Sequence, residues 1–455
     1  MNAAPLAMFL TTFIALIAGY PVALTLAGVA LIFALIGIIF GSFNPSDLGF
    51  AAGRLFGLVT NQTLIAIPLF VFMGVTLEKT KIAETLLSDL SNLFGRSQSG
   101  LAVTVILVGA LMAASTGIVG ATVVTMSLMA LPVMLNAGYD ARLAAGTISA
   151  TGTLGQIIPP SIALVLLGDV LSNAYQQAQL NQGIFAPKSV SVGDLFAGAI
   201  VPGLCLVVLY LLYVYTNLLF SKNKIDSKQS SDQRFSVFSL LLSLSPPLLL
   251  IFAVLGSIIL GYATPTEAAG IGAAGAILIG LVTKRLEFST IKAISESTLS
   301  TTGMVFFILI GASIFSLVFR GFGGDEQIQG VFDAMPGGVT TALIVVMIVI
   351  FLLGFILDFI EITFVVVPIV GPVLLAMGVD PIWLGVVIAI NLQTSFLTPP
   401  FGFALFYLRG VAPANVETKD IYLGAVPFVG LQILILILLF IYPSIATWLP
   451  AKLYG

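Results

Sequence analysis

Uncharged, apolar stretches long enough to cross a bilayer as helices recur from one end of the chain to the other, among them 197–220 and 421–442. About 20 such residues traverse the hydrocarbon layer. Inside it, each backbone N–H and C=O has to be satisfied without water, which a helix does within its own segment. The chain therefore reads as an all-α polytopic membrane protein. Charged residues are only 8% of the 455, against roughly 25% in an average soluble protein. The net charge is -3 and the bases are scattered, so no basic stripe exists to neutralise nucleic-acid phosphates, and nucleic acid is not an expected partner. With no His and a single Cys, Cys205, zinc sites, haem imidazoles, disulfides and Cys/His or Ser/His catalysis are not expected. The pattern Gly-x-x-x-x-Gly-Lys-Ser/Thr does not occur, so solute movement would draw on an ion gradient and not on ATP. The opening MNAAPLAMFL has no basic residue ahead of its apolar run and predicts a retained span, not a cleaved signal.

One stretch is clearly hydrophilic. SKNKIDSKQSSDQR at 221–234 falls near the midpoint and reads as a cytoplasmic linker, 221–235, between halves 1–220 and 236–455. Walking outward from it one crossing at a time leaves four of the 17 Lys and Arg outside (Arg54, Lys188, Arg320 and Lys452) and the other thirteen inside. That imbalance is the charge asymmetry expected of membrane proteins. The walk predicts both termini outside. It also needs two segments that enter and leave on one side, a re-entrant hairpin at 101–135 and another at 341–375. An amphipathic arm at 82–96, with Glu84, Ser88 and Asp89 among leucines, is expected to lie along the cytoplasmic surface or to form an ordinary loop helix.

The halves share an internal repeat. PVMLNAGYD from Pro132 and PVLLAMGVD from Pro372 agree at five of nine positions at an offset of 240, and the same offset pairs Pro159-Pro160 with Pro399-Pro400. Running in opposite senses across the membrane, the copies form an inverted repeat of the kind found in secondary transporters. Gly19-Tyr20-Pro21 and Gly261-Tyr262-Ala263-Thr264-Pro265 echo it. A Pro-Pro pair removes two backbone donors, so spans 141–171 and 381–411 should each break, and such backbone must line a polar cavity. The breaks are LGQIIPPSI, preceded by Thr151-Gly152-Thr153, and TSFLTPPFG, preceded by Asn391-Leu392-Gln393. Half-helix carbonyl ends suit Na+ and half-helix N-termini suit anions. The hairpin tips should complete the sites, near Ser115-Thr116-Gly117 and within 354–361. Plain helix kinks with hydroxyls bonded to their own helix are the alternative.

Asp358 and Glu361 are the acids of the second hairpin, opposite apolar Ile118 and Ala121 in the first copy. Their role stays open between anchoring the tip, facing the substrate and ligating an ion directly. They are also the one dyad a membrane-embedded hydrolase could use. Glu267, three residues after Thr264, predicts a helix-capping acid. Asp169 and Arg409 read as interfacial anchors.

IPLFVFMG at 67–74, GYDARLAAG at 138–146, GTLGQIIPPSI at 152–162, GYATPTEAAG and NLQTSFLTPPFG at 391–402 together resemble the large membrane subunit of tripartite ATP-independent periplasmic (TRAP) transporters, within the ion transporter superfamily. The resemblance covers nearly the whole chain. Two departures, NLQTSFLTPP and Gln156 in LGQIIPP, suggest a branch with its own substrate. The resemblance implies an elevator-type transporter, in which scaffold helices hold a mobile part made of the two hairpins and two broken spans. It implies a Na+ site at Ser115, Gly117, Thr151, Thr153 and Pro159, and a second at Gly354, Asn391, Thr394 and Thr398. Substrate would lie between Ser161, Gln393 and Ser395, with Asp358 a substrate-side candidate and Pro160, Pro399 and Pro400 making the breaks. It further implies a bacterial or archaeal inner-membrane location, a small four-helix membrane subunit on a separate chain, and a soluble periplasmic binding protein that delivers an organic acid. A stand-alone sodium-coupled anion symporter or antiporter of the same superfamily is the alternative.

Overall fold

The computed structural model describes residues 3–82, 85, 99–220 and 237–454, the last stretch with side chains from 245 onward. Among the described residues the architecture is helical, with no strand. The first half opens with α1 (Ala4–Ile17), α2 (Val22–Ile39), α3 (Phe50–Thr60) and α4 (Ala66–Lys79). A helical hairpin follows, α5 (Gly100–Thr116) and α6 (Val119–Asn136), then α7 (Ala141–Thr153), a 3-10 turn (Leu154–Gln156), α8 (Ile162–Asn181) and α9 (Val192–Phe220). The second half begins with α10 (Val237–Ile259), α11 (Pro265–Val282), α12 (Phe288–Gly321) and the short α13 (Gly324–Asp333). Its hairpin is α14 (Gly338–Leu353) against α15 (Phe359–Val365) and α16 (Val367–Ala376). The broken helix is α17 (Pro381–Leu397) with α18 (Phe403–Val411), and the chain continues into α19 (Thr418–Ile441) and α20 (Ser444–Tyr454). Among the described residues six helices (α2, α6, α9, α11, α12 and α19) are long and apolar enough to cross a membrane, or seven spans if the pair α15 and α16, bent by 55°, counts as one.

Hairpin, helix, break, helix thus occurs twice, and the repeat extends to hydrogen-bonding detail. Hairpin one closes at Gly138 (φ 87) and hairpin two at Gly378 (φ 91), a left-handed conformation that glycine adopts without a Cβ penalty. Gly138 N donates to Leu135 O at 3.0 Å and Tyr139 N to Met134 O at 3.1 Å; Gly378 N and Val379 N make the matching bonds to Leu375 O (3.1 Å) and Leu374 O (3.3 Å). The next residue in each copy is an aspartate that starts the broken helix. Asp140 accepts from Arg142 N (2.7 Å) and Asp380 from Trp383 N (2.8 Å). The helices that follow the broken helices also open alike, on Asp194 with Gly198-Ala199 in α9 and Asp420 with Gly424-Ala425 in α19.

The copies differ where local chemistry differs. α8 does not end near 171; it runs to Asn181, because no Pro or Gly lies between 171 and Gly183 (φ 80). α18 stops at Val411, just ahead of Ala412-Pro413, since a residue before proline leaves the helical region. Glu267 caps α11 in a reciprocal box, its Oε2 accepting from Thr264 N at 2.7 Å while Thr264 Oγ1 accepts from Glu267 N at 3.3 Å. The amphipathic arm at 82–96, apart from Ile82 and Thr85, and the linker 221–235 lie outside the described residues.

Contacts divide the helices into two units, each drawing on both halves of the sequence. The first comprises Met1–Ile65, Val165–Ser191 and Leu299–Gly385, and the second Ala66–Leu164, Val192–Thr298 and Val386–Gly455. Hairpin one therefore belongs to the second unit and hairpin two to the first. In the first unit, Gln182 Nε2 donates to Ala376 O (2.6 Å) and Asn61 Nδ2 to Asp169 Oδ1 (3.0 Å). In the second unit α7 crosses α19 where glycines meet: a Cβ on Gly146 would strike Gly424 O, and one on Gly424 would strike Arg142 O. Arg142 Nε and Asp420 Oδ1, 3.0 Å apart, pair beside this crossing.

Candidate functional site

The site in the second unit is built where hairpin one meets the break between α7 and α8. Prolines 159 and 160 supply no amide hydrogen, so the carbonyls of residues 155 and 156 lose the helical donors that would have come from those positions. Gln156 O is taken over by the Ser161 hydroxyl (3.3 Å), and Ser161 Oγ accepts from Leu164 N (3.4 Å). Ser161 therefore bridges the break and caps α8. The tip of the hairpin lies on this break. Gly117 has φ 63 and caps α5, and a Cβ placed on it would sit 3.1 Å from Ile162 N, so only glycine permits both the conformation and the approach. Across the tip the Thr116 and Thr122 hydroxyls are 2.7 Å apart.

The hydroxyls of the site mostly donate into their own helices. Ser115 Oγ donates to Met112 O (2.9 Å), Thr151 Oγ1 to Thr147 O and Thr153 Oγ1 to Ala150 O (2.8 Å). In the second copy Thr394 Oγ1 donates to Ile390 O (2.7 Å) and Thr398 Oγ1 to Thr394 O (2.7 Å). A hydroxyl that spends its proton on a carbonyl keeps its lone pairs as acceptors. Both Pro-Pro bonds, Pro159-Pro160 and Pro399-Pro400, are cis.

The two broken helices join at Thr153. Its Oγ1 accepts from Gln393 Nε2 on α17 at 3.3 Å and from Gln432 Nε2 on α19 at 3.4 Å. Gln432 Nε2 also donates to the Tyr210 hydroxyl on α9 at 2.7 Å. All four side chains are fully buried. The amide oxygens of Gln393 and Gln432, and that of Gln156 at the first break, are buried with no hydrogen-bond donor. Buried polar atoms are seldom left this way.

Of the residues singled out from sequence, Ser115, Gly117, Thr151, Thr153, Pro159, Pro160 and Ser161 come together at hairpin one and the first break. Asn391, Gln393, Thr394 and Ser395, all buried, with Thr398, Pro399 and Pro400, lie on α17 and the second break, in the same unit. Gly354 and Asp358 belong to the first unit. There Asp358 N-caps α15, accepting from Phe359 N at 2.7 Å, and Glu361 Oε2 accepts from Asp358 N at 3.1 Å, a reciprocal capping box. Of the roles left open for this pair, anchoring the hairpin tip is the one with a visible geometry. Tyr210 and Gln432 escaped the sequence reading. The available signal was a glutamine inside the otherwise apolar run GLQILILILLF, where an amide without a partner is costly.

Residues 9–445 match the family described as "Tripartite ATP-independent periplasmic transporter, DctM component". The C4-dicarboxylate TRAP transporter large permease protein DctM of Vibrio cholerae is 29% identical, over 97% of this chain and 96% of that protein. The isethionate TRAP transporter permease protein DctMQ of Oleidesulfovibrio alaskensis is 28% identical, over 94% of this chain and 64% of its own length. Among solved structures, the Alcanivorax borkumensis YdaH transporter aligns with a TM-score of 0.66 over 96% of this chain and 99% of that one, at 14% identity, a likeness of fold alone. These relatives are transporters and permeases, not enzymes.

Proposed function

The chain belongs to the DctM family of TRAP transporter large permeases, membrane proteins of secondary transport, and from that premise we propose that it is a Na+-coupled importer of small organic anions, carboxylates or sulfonates. In this reading it receives substrate from a periplasmic binding protein, works beside a small membrane subunit, and moves its cargo by an elevator motion in the inner membrane. The observation that carries the proposal is the contact between the hairpin-one tip and the first helix break, in the unit that also holds the buried, donorless amide oxygens of Gln156, Gln393 and Gln432.

The donor set fits the ion. Hard, uncharged oxygens from hydroxyls, amides and carbonyls at a half-helix end are what an alkali cation prefers, and the hydroxyls of Thr151, Thr394 and Thr398 already direct their protons away into the helix. Ser161, at the N-terminus of α8, stands at the positive end of a helix dipole, which suits the substrate's carboxylate or sulfonate. Coupling follows from desolvation. A site with unpaired acceptors crosses the hydrocarbon layer at a heavy cost unless cation and anion fill it and the hairpin-one tip closes. The relatives' printed names, C4-dicarboxylate and isethionate, support the substrate class of small anions with a carboxylate or sulfonate group.

The test is uptake of labelled organic acids into proteoliposomes holding this chain with its small subunit, with and without a Na+ gradient and the cognate binding protein. Uptake requiring both is the expected result. Uptake with Na+ alone means a stand-alone symporter, and uptake indifferent to Na+ removes the ion sites.

A further inference from the structure

The two copies of the repeat part company after the breaks. Their offset is 240 at Pro159 and Pro399 but 226 at Asp194 and Asp420, so the first copy carries fourteen residues that the second lacks. They fall in the far end of α8 and in its connection to α9: α8 runs to Asn181 and α9 starts at Val192, whereas α18 stops at Val411 and α19 starts at Thr418. Copies of an inverted repeat face opposite sides of the membrane, so the extra residues enlarge one face only. On the topology expected from the Lys and Arg asymmetry, that face is the outer one.

Length places this extension in water. From a break at mid-depth, about 15 Å of hydrocarbon remains to the surface, which about ten residues of helix cover. The 20 residues of α8 therefore carry its end about 15 Å past the hydrocarbon, beyond a headgroup layer about 5–8 Å thick. Six of the ten residues from Asn173 to Gln182 are Asn or Gln, as suits a solvated segment.

The loop that follows is held in place, yet it presents bare apolar groups. Gly183 turns the chain with φ 80, and Ile184 N donates to Gln179 O at 2.9 Å. The buried Gln179 side chain then clips both backbone groups of Lys188, its Oε1 accepting from Lys188 N at 2.9 Å and its Nε2 donating to Lys188 O at 2.8 Å. On this frame Leu180 is 48%, Ile184 44% and Phe185 91% exposed. Burying a phenylalanine shifts an equilibrium by about tenfold to a hundredfold. A clipped loop that holds one bare in water is preorganised for a partner, with little conformational entropy left to lose. Lys188 is exposed and is the only charged residue between Asp169 and Asp194, which calls for an acid opposite. Resting on the reading of the chain as a tripartite permease, we propose that this loop is where the soluble substrate-binding protein docks, Phe185 entering an apolar pocket on that protein whose acidic rim faces Lys188.

The decisive variant is F185A, which trims an exposed ring and leaves the Gln179 clip intact. The full-length chain with its small subunit is held in nanodiscs, and purified cognate binding protein is passed over it, with surface plasmon resonance as the readout. F185A should weaken capture by about tenfold or more while unfolding at the wild-type midpoint, and K188E should weaken it and flatten its salt dependence. In proteoliposomes F185A should raise the half-saturating concentration of binding protein and keep the maximal uptake rate, a split that a folding defect would not give. Wild-type capture and half-saturation in F185A overturn this assignment alone, whereas wild-type uptake that ignores the binding protein overturns it together with the tripartite reading. A dye attached to F185C in a C205A background should stay open to an aqueous quencher; quenching by spin-labelled lipid overturns the proposal in favour of the membrane. Dimers of the wild-type chain that F185A dissolves overturn it in favour of a second copy.

Discussion

Gln432 and Tyr210, 222 positions apart in sequence, meet at 2.7 Å with both side chains fully buried. Through Thr153 and Gln393 the pair ties α9 and α19 to both broken helices.

Removing the Tyr210 hydroxyl leaves Gln432 Nε2 with only its long bond to Thr153. Y210F should therefore cost about 1–2 kcal/mol, read as a lower unfolding midpoint in detergent. Q432L, which also withdraws a donor from Thr153, should cost at least as much. Wild-type midpoints for both would mean that the network holds nothing together.

Gly117 combines positive φ with a close approach to Ile162. G117A adds about 1–2 kcal/mol of backbone strain at this tip and pushes it off the break. Uptake should fall at least tenfold with the protein still inserted and folded, as judged by size-exclusion profile. Unimpaired uptake by G117A would show that the tip need not seat on the break.

At the crossing of α7 and α19, a methyl group on Gly424 runs into backbone, which cannot swing aside as a side chain can. G424A should lower stability by about 1–3 kcal/mol, and G424V should fail to give folded protein. The check is unfolding midpoint and yield; a G424A protein as stable as wild type would contradict the close crossing.

Asp358 separates two roles by chemistry. As an N-cap it is replaceable by Asn, which caps as well, but not by Ala, which costs about 1 kcal/mol. Near-normal uptake by D358N together with weak uptake by D358A identifies a capping role. If D358N is as inactive as D358A, the negative charge itself is required.

Ser115 and Thr398 carry the ion reading, one from each copy. Replacing either with a bulky apolar residue should abolish Na+-dependent uptake while the protein stays folded. Retained Na+ dependence in both variants would falsify the assignment of the two Na+ sites.

Much of this architecture is written locally. The Pro159-Pro160 and Pro399-Pro400 pairs break their helices wherever the chain carries them, because a missing N–H is a covalent property. The 240-residue offset between PVMLNAGYD and PVLLAMGVD likewise places two hairpin ends, and both close on a glycine with positive φ. Less legible was the extent of α8, whose ten residues past 171 lack any stop signal before Gly183. The 55° bend between α15 and α16 has no counterpart in α6 for a reason the sequence does carry: it falls just ahead of Pro368, whose matched position in the first copy is Leu128, whereas the matched Pro132 and Pro372 both lie inside continuous helix.

The sequence by itself determined the class of molecule: apolar runs of membrane length admit only helices there, and paired prolines dictate where those helices must open. The tertiary structure alone decided which polar groups meet. The glutamine in α19 is an isolated polar residue in an apolar run and the tyrosine in α9 is one of three in its helix, and only the packing of α9 and α19 against the broken helices turns them into partners. Burial explains why that choice matters, since a polar group shut away from water must find its partner within the fold, however distant in sequence that partner lies.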